Sequence, residues 1–165
     1  MEEIVNLHKK WILLVLVTCF VVSAASAQVL TADQLKKAVP SSYFFAGQSA
    51  PVQMRNAAGF KNDGGKLVLA ALVDTSGYAT AIAEKYQGLL ITEAKIDIEG
   101  SALEPGAYGF GFKDGKFLVM NVAAGDVFSV DAKSDDKIAH AVPLKIEKEG
   151  DGYRLFAGKK YVTIK

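Results

Sequence analysis

The chain has few of the cysteine and histidine residues on which many active sites and metal sites depend. Its 165 residues include one cysteine, one tryptophan and two histidines. Cys19, Trp11 and His8 all precede residue 28, which leaves His140 as the single histidine of residues 28–165. Cysteine nucleophiles and disulfides are therefore excluded there. A transition-metal site, which draws on several Cys and His ligands, is disfavoured as well.

An excess of one charge is also missing. The chain carries 19 Lys and Arg residues against 18 Asp and Glu residues, and 17 against 16 remain once residues 1–27 are removed. Binding to nucleic acid or to an anionic membrane requires a strongly basic surface. We therefore predict no nucleic-acid partner, and no membrane partner for residues 28–165.

The sequence motifs that mark known chemistries are absent. There is no Gly-x-Ser-x-Gly elbow, no Gly-x-Gly-x-x-Gly fingerprint and no P-loop. The acidic run 131–136 lacks the spacing and the glycine of a calcium loop and is predicted to be a solvated turn. His140 is predicted to be an ordinary residue before a strand. The sequence thus assigns no catalytic residue, metal or cofactor; it favours a non-catalytic role and leaves enzyme activity open.

The first 27 residues have the pattern of a signal peptide. A basic segment ending at Lys10 precedes an apolar run over residues 11–22, and small residues follow at Ala25 and Ala27. As a helix, this run would reach roughly 18 Å, well short of the ~30 Å hydrocarbon core of a membrane. We predict cleavage after Ala27, export to the periplasm or the extracellular space, and a single β-rich domain over residues 28–165.

Cys19 provides an alternative to cleavage after Ala27. Residues 16–19, Leu-Val-Thr-Cys, resemble the lipobox before the acylated cysteine of bacterial lipoproteins. Thr18 stands where Gly, Ala or Ser is usual, and the apolar run continues beyond the cysteine. Lipoprotein anchoring is therefore the lesser alternative.

A short helix is predicted at the start of the domain. Thr31 and Gln34 have the spacing of a capping box, and Pro40 ends the helix. Leu35 and Ala38 would face a sheet.

The remainder of the domain reads as short strands separated by glycine-containing turns. The fold class is mainly all-β: a small meandering β-barrel or β-sandwich of about eight to nine strands with a short N-terminal helix. Residues 76–87 are left open between helix and strand. Nine candidate strands span residues 52–61, 66–74, 89–98, 107–113, 116–122, 126–132, 142–147, 153–157 and 160–164.

The first hairpin contains a strand that is apolar on both faces. If residues 62–65 form its turn, the cross-strand pairs are Phe60 with Leu67, Ala58 with Leu69 and Met54 with Val73. A doubly apolar strand is usually covered on both sides. Its second cover could be the N-terminal helix, a short helix near residues 79–86, a ligand or another subunit.

The second hairpin is rich in aromatic residues. A two-residue turn at Asp114 and Gly115 places Phe112 opposite Phe117 and Phe110 opposite Val119. Gly109 and Gly111 then lie on the other face, where either a packed element or a ligand could approach the backbone closely.

Two functions from different classes remain. The first is a binding module that holds an apolar or amphipathic small molecule against five candidate ligand-binding residues: Tyr108, Phe110, Phe112, Phe117 and Met120. The alternative to this site is that these side chains are simply core. The second function is a structural or interaction protein that buries the doubly apolar strand against a protein partner or a second copy, as a homo-oligomer.

One local resemblance accompanies these expectations. Residues 103–108, Leu-Glu-Pro-Gly-Ala-Tyr, resemble the Leu-x-Pro-Gly-x-Tyr hairpin opening of uncharacterised families of exported bacterial β-domain proteins. The resemblance implies a β-sandwich or small barrel in the cell envelope. It implies no activity.

Overall fold

The computed structural model describes residues 27–165. The predicted leader and Cys19 therefore lie outside the described residues, except for Ala27. Two antiparallel sheets that do not close on themselves form a β-sandwich-like fold, which confirms the mainly all-β class and the sandwich of the two predicted architectures. Residues 27–165 contain fourteen strands rather than about eight to nine, because five of them have only two to four residues. The elements are β1 (Gln28–Val29), α1 (Ala32–Ala38), β2 (Ser42–Phe45), β3 (Gln48–Lys61), β4 (Leu67–Val73), α2 (Thr80–Ala83), β5 (Gly88–Thr92), β6 (Ile96–Ile98), β7 (Ser101–Leu103), β8 (Gly106–Lys113), β9 (Lys116–Met120), β10 (Asp126–Asp131), β11 (Lys133–Ser134), β12 (Val142–Glu149), β13 (Gly152–Gly158) and β14 (Lys160–Ile164).

The first sheet has the strand order β1-β3-β4-β5-β8-β9-β10, with β2 also paired to β3. The second sheet has the order β12-β13-β14-β6-β7, with β11 beside β14. Most neighbours are consecutive in the chain, as a meander requires.

The single strand predicted over residues 89–98 is wrong. The chain forms β5 in the first sheet, turns at residues 93–95 and enters the second sheet as β6. The Thr92 hydroxyl donates a hydrogen bond to the Ala94 carbonyl (2.5 Å), which closes this bend. Apolar alternation continues through the bend because both strands face the same inter-sheet core, so periodicity alone could not reveal the crossing.

The predicted N-terminal helix is confirmed with its cap. The Thr31 hydroxyl accepts from the Gln34 N–H (3.4 Å), and the Gln34 side-chain oxygen accepts from the Thr31 N–H (2.9 Å). The helix ends at Ala38, two residues before Pro40. Leu35 is buried against the outer face of the first sheet.

Strand β4 is covered on both faces by the chain itself. Val68 and Ala70 face the inter-sheet core. The alternate residues Leu69 and Ala71 belong to a second core, the outer core, under α1, β2 and the segment that contains α2. Of the predicted covers, the N-terminal helix and the short helix near residues 79–86 are both present, and β2, which was not predicted, completes the cover. Neither face of β4 is left for another subunit, so self-association through this strand is wrong; the homo-oligomer itself stays a prediction.

The register predicted for the first hairpin is wrong by one residue. Phe60 pairs with Val68 and Lys61 with Leu67. The Asn62 side chain accepts from the Lys66 N–H (2.9 Å), and the turn comprises residues 62–66 rather than the predicted 62–65. A β-bulge then shifts the far end, where Val52 and not Met54 lies opposite Val73. A one-residue slip exchanges the two faces of a strand, which places Phe60 in the inter-sheet core.

The segment left open between helix and strand contains the four-residue helix α2. Tyr78 and Tyr86 flank it and are both buried in the outer core. The Tyr78 hydroxyl lies 3.1 Å from the carbonyl oxygens of Phe45 and Gln48, and donates its proton there. These contacts fix the segment over the first sheet.

Candidate functional site

The aromatic hairpin has the predicted register. Phe112 pairs with Phe117 and Phe110 with Val119, and the turn residues Asp114 and Gly115 have φ of +50° and +77°. Phe110 and Phe117 are fully buried, and Phe112 is 9% exposed. Their ring centroids lie 4.9 to 6.5 Å apart within the inter-sheet core. These three candidate ligand-binding residues fill the space between the sheets.

Met120, the fourth of the buried candidates, lies on the opposite face of the first sheet. It is 2% exposed and belongs to the outer core. The structure therefore does not bring Met120 together with the aromatic candidates. Their assignment to a ligand stays a prediction.

The interleaved glycines are explained by packing within the chain. A Cβ on Gly109 would overlap the Phe45 ring, and one on Gly111 would overlap the carbonyl oxygen of Lys85. The close approach predicted for this face is thus made by β2 and by the end of the α2 segment. No ligand is needed to account for the two glycines.

Tyr108, the remaining candidate, is half-buried and closes the turn before β8. Its hydroxyl donates to the Glu104 carbonyl (3.0 Å). A Cβ on Gly106 would lie only 3.0 to 3.1 Å from the Tyr108 ring and hydroxyl, so a side chain there would press on the tyrosine. This contact gives the Pro-Gly-x-Tyr segment a structural role.

The surface depressions lie elsewhere, on and beside the outer face of the second sheet. One of them, the central groove, has a volume of about 570 Å³. It runs over outward-facing residues of β6 and β14, whose alternate residues face the core. Its lining consists of Asp97, Glu99, Gly100, Lys133, Glu149, Asp151, Gly152, Thr163 and Lys165.

Glu99 forms one wall of the central groove and is held in a strained turn. Its φ of +49° lies in the left-handed region, next to Gly100 at +86°. One carboxylate oxygen accepts from the Thr163 N–H (2.6 Å), and the other pairs with the Lys133 ammonium (2.7 Å). Burial acts to raise the pKa of this carboxyl, but Lys133 and Thr163 together hold the pKa below its ordinary value.

Two further carboxylates of the groove are already engaged. Asp97 accepts a hydrogen bond from the Gly100 N–H (2.8 Å). Glu149 pairs with the guanidinium of Arg154, which also stacks over the Tyr161 ring at 4.6 Å. These contacts fix the groove walls.

Asp151 and Lys165 are different. The ion pairs found among residues 27–165 include neither of them. Both also line a second depression, the mouth pocket, of about 280 Å³. An incoming ligand could therefore meet one carboxylate and one ammonium group where the two depressions join, without first breaking an ion pair.

The mouth pocket opens between the two sheets at one end of the sandwich. Phe60 of the first sheet and Tyr153 of the second stack at 3.6 Å beneath it. Burial and the negative charge of Asp63 raise the pKa of the Tyr153 hydroxyl. The other lining residues are Ala27, Asn62, Asp63, Lys148, Gly150, Asp151 and Lys165.

Comparison of the chain with protein-family models, with curated proteins and with solved structures finds no match. Within residues 27–165, no group of three or more His, Cys, Asp or Glu side chains is placed to hold a metal ion. The described part of the chain also contains no helix long and apolar enough to cross a membrane.

Reasoning from the sequence missed the groove residues. They come from the β6–β7 turn, β11, the β12–β13 turn and β14, which are far apart in the chain. Charged residues that alternate with apolar ones are typical of any solvated sheet face, so the pattern does not distinguish these residues. His140 is exposed in the loop before β12, where the sequence placed it.

Proposed function

We propose that residues 28–165 are a non-catalytic binding module of an exported protein, and that the central groove and the mouth pocket hold a small polar molecule with groups of both charges. The observation that carries this proposal is the continuous concave surface with Asp151 and Lys165 at its middle. The central groove alone, at about 570 Å³, is within the roughly 300 to 1,000 Å³ typical of ligand sites.

The chemistry of the lining favours a polar ligand over the apolar one predicted from the aromatic hairpin. The hairpin's phenylalanines are in contact with one another and with the second sheet. The central groove exposes carboxylates, ammonium groups and backbone. Groups of both signs on the ligand would complement Asp151 and Lys165 and gain charge-assisted hydrogen bonds.

Ala27 bears on the proposed export. It lines the mouth pocket, and the predicted cleavage would remove it together with the leader. Export to the periplasm or the extracellular space, with cleavage after Ala27, would thus remove one lining residue from the mouth pocket. Mass spectrometry of the exported protein tests this: a chain that begins at Gln28 is expected, and one that retains Ala27 contradicts it.

The binding proposal is tested by amide NMR titration of the exported protein. Glycine betaine, L-arginine and L-glutamate serve as charged probes, trehalose as the uncharged polar probe and decanoate as the apolar probe. We expect at least one charged probe to shift the amide signals of Gly100, Gly152 and Thr163. Asp151→Asn should weaken that binding about tenfold, because hydrogen bonds to charged groups contribute about 1.5 to 3 kcal/mol.

Asp33→Asn is the matched control, since Asp33 is highly exposed on α1 and lies outside the depressions. It should bind the probe as the parent protein does. The proposal is wrong if no charged probe shifts the groove amides. Shifts produced by decanoate at residues 108–120 would instead support the aromatic site predicted from the sequence.

A further inference from the structure

We infer that the ligand of this surface is an elongated one: a short extended peptide with side chains of both charges, lying from the mouth pocket across the central groove to the outer edge of β10. This inference rests on the proposed binding function and names the class of its ligand. It comes from three observations: the depressions are continuous, their charges are mixed, and a strand edge stands at their end.

The first observation is that a third depression continues the other two. This edge pocket, of about 420 Å³, is lined by Glu99, Lys116, Lys133 and residues 129–131 of β10. It shares Glu99 and Lys133 with the central groove, just as the central groove shares Asp151 and Lys165 with the mouth pocket. The three depressions therefore form one surface, the furrow. A ligand in contact with all three depressions would have to be elongated.

The second observation is the distribution of charge along the furrow. Each of the two junctions carries one carboxylate and one ammonium group. In the edge pocket, Lys116 pairs with Asp131 at 2.9 Å and Lys133 with Glu99 at 2.7 Å. The carboxylates of the whole furrow are Asp63, Asp97, Glu99, Asp131, Glu149 and Asp151, and its ammonium groups are those of Lys116, Lys133, Lys148 and Lys165.

This distribution selects among polymers. A polyanion would meet carboxylates in every depression, and a polycation would meet a lysine in every one. A chain with both charges can place each of its groups against an opposite charge. An uncharged glycan could form hydrogen bonds with the ammonium and carboxylate groups through its hydroxyls, but it would leave their charges unneutralised. The stacked faces of Phe60 and Tyr153, on which a sugar ring could pack, are already covered by each other.

The third observation is the edge of β10. Strand β10 is the last of the first sheet, and among residues 27–165 it pairs only with β9. An extended peptide that leaves the central groove would meet this edge and could pair its own backbone with it, as in β-strand addition.

The test uses a peptide of repeated Glu-Glu-Lys-Lys, called the alternating peptide, which is about ten residues long and spans roughly 33 Å when extended. Because successive side chains of an extended chain point to opposite faces, this order gives each face of the peptide both Glu and Lys. Peptides of the same length made of Glu only or Lys only are the comparison. Amide signals of the exported protein are followed at Gly150 in the mouth pocket, Gly100 in the central groove and Ser129 in the edge pocket. We expect the alternating peptide to shift all three and to bind at least tenfold more tightly than either homopolymer.

Two variants sharpen the test. Lys165→Met and Lys133→Met each remove the ammonium group of one junction, and each should weaken binding of the alternating peptide several-fold. Lys37→Met, on the exposed side of α1, is the matched control and should leave binding unchanged. Lys165→Met avoids the contact with Glu99, so that it remains informative if Lys133→Met disturbs the fold.

The outcomes separate this inference from the proposed function. If the small charged probes shift Gly100 while the alternating peptide leaves Ser129 unshifted, the elongated ligand is wrong and the binding module stands. If neither the probes nor the peptide shift any furrow amide, both are wrong. Equal binding of the homopolymers would overturn the requirement for mixed charge.

Discussion

Gly111 offers the sharpest test of how the aromatic hairpin is used. If its missing side chain exists to admit a ligand, alanine should fit in the empty protein and only binding should suffer. The structure indicates the opposite, because a Cβ at this position would overlap the Lys85 carbonyl oxygen and lie 2.9 Å from the carbonyl carbon. We predict that Gly111→Ala destabilises the fold itself.

The expected loss in the free energy of unfolding follows from the residues that would have to move away from the new side chain. Lys85 is followed by Tyr86, which is fully buried and stacks on Phe45 at 3.9 Å. Gln87 comes next; its side chain both donates to and accepts from the Phe112 backbone at 3.0 Å. Movement of the Lys85 backbone away from a Cβ at position 111 would strain these contacts. Overpacking of about 1 to 3 kcal/mol and two hydrogen bonds of about 1 kcal/mol each give a loss of about 3 to 5 kcal/mol.

Urea denaturation followed by circular dichroism measures the free energy of unfolding. Gly64→Ala is the control, because its nearest neighbour is 3.4 Å away and its φ is not in the left-handed region; we expect a change within about 0.5 kcal/mol. Gly109→Ala should fall between the two, since the Phe45 ring it meets is a side chain and not backbone. A loss below about 1 kcal/mol for Gly111→Ala would refute the packing argument.

The remaining predictions concern the hydroxyls of Tyr86 and Tyr78, which differ in their hydrogen bonds, and the carboxylate of Glu99. The buried hydroxyl of Tyr86 has no hydrogen-bond partner among the described residues, so Tyr86→Phe should leave the free energy of unfolding in urea unchanged or raise it by up to about 1 kcal/mol. Tyr78→Phe, which removes a donated hydrogen bond, should lower it by about 1 kcal/mol, and equal losses for both would contradict this assignment. Glu99→Gln should cost about 1 kcal/mol at neutral pH, because the lowered pKa of this carboxyl means that the folded state favours its ionised form. That contribution is complete above the unfolded pKa of about 4.3 and disappears as the pH falls through the folded value, so thermal unfolding of parent and variant should converge in acid; a constant difference would exclude the ion pair as its source.

Local patterns predicted the local elements well. The capping box at Thr31 and the Asp114-Gly115 turn depend on hydrogen bonds and backbone angles within a few residues, and both are present as predicted. The prediction of the turn at residues 62–65 is wrong because the Lys66 N–H donates to the Asn62 side-chain oxygen, which lengthens the loop by one residue. A five-residue closure and a four-residue one have nearly the same composition, so sequence alone could not separate them.

The candidate site shows where prediction from sequence stops. Aromatic residues separated by glycines carry the same pattern whether they line a cavity or fill a core. The pattern cannot identify the neighbour, which here is Phe45 for Gly109 and Lys85 for Gly111. Conversely, Asp151 and Lys165 have no distinguishing pattern at all. They line the same depressions only because the β12–β13 turn and the end of β14 lie side by side.

The sequence by itself determined an all-β domain in which no catalytic motif is recognised. It did so through the alternation of apolar residues, the shortage of cysteine and histidine and the balanced charge, because composition and short-range periodicity are properties of the chain itself. The tertiary structure alone decided which faces are filled and which are open. That outcome depends on contacts between residues distant in the chain. Strand β4 is covered by α1, β2 and the segment that contains α2, and separate turns bring Glu99, Lys133, Asp151 and Lys165 to one surface.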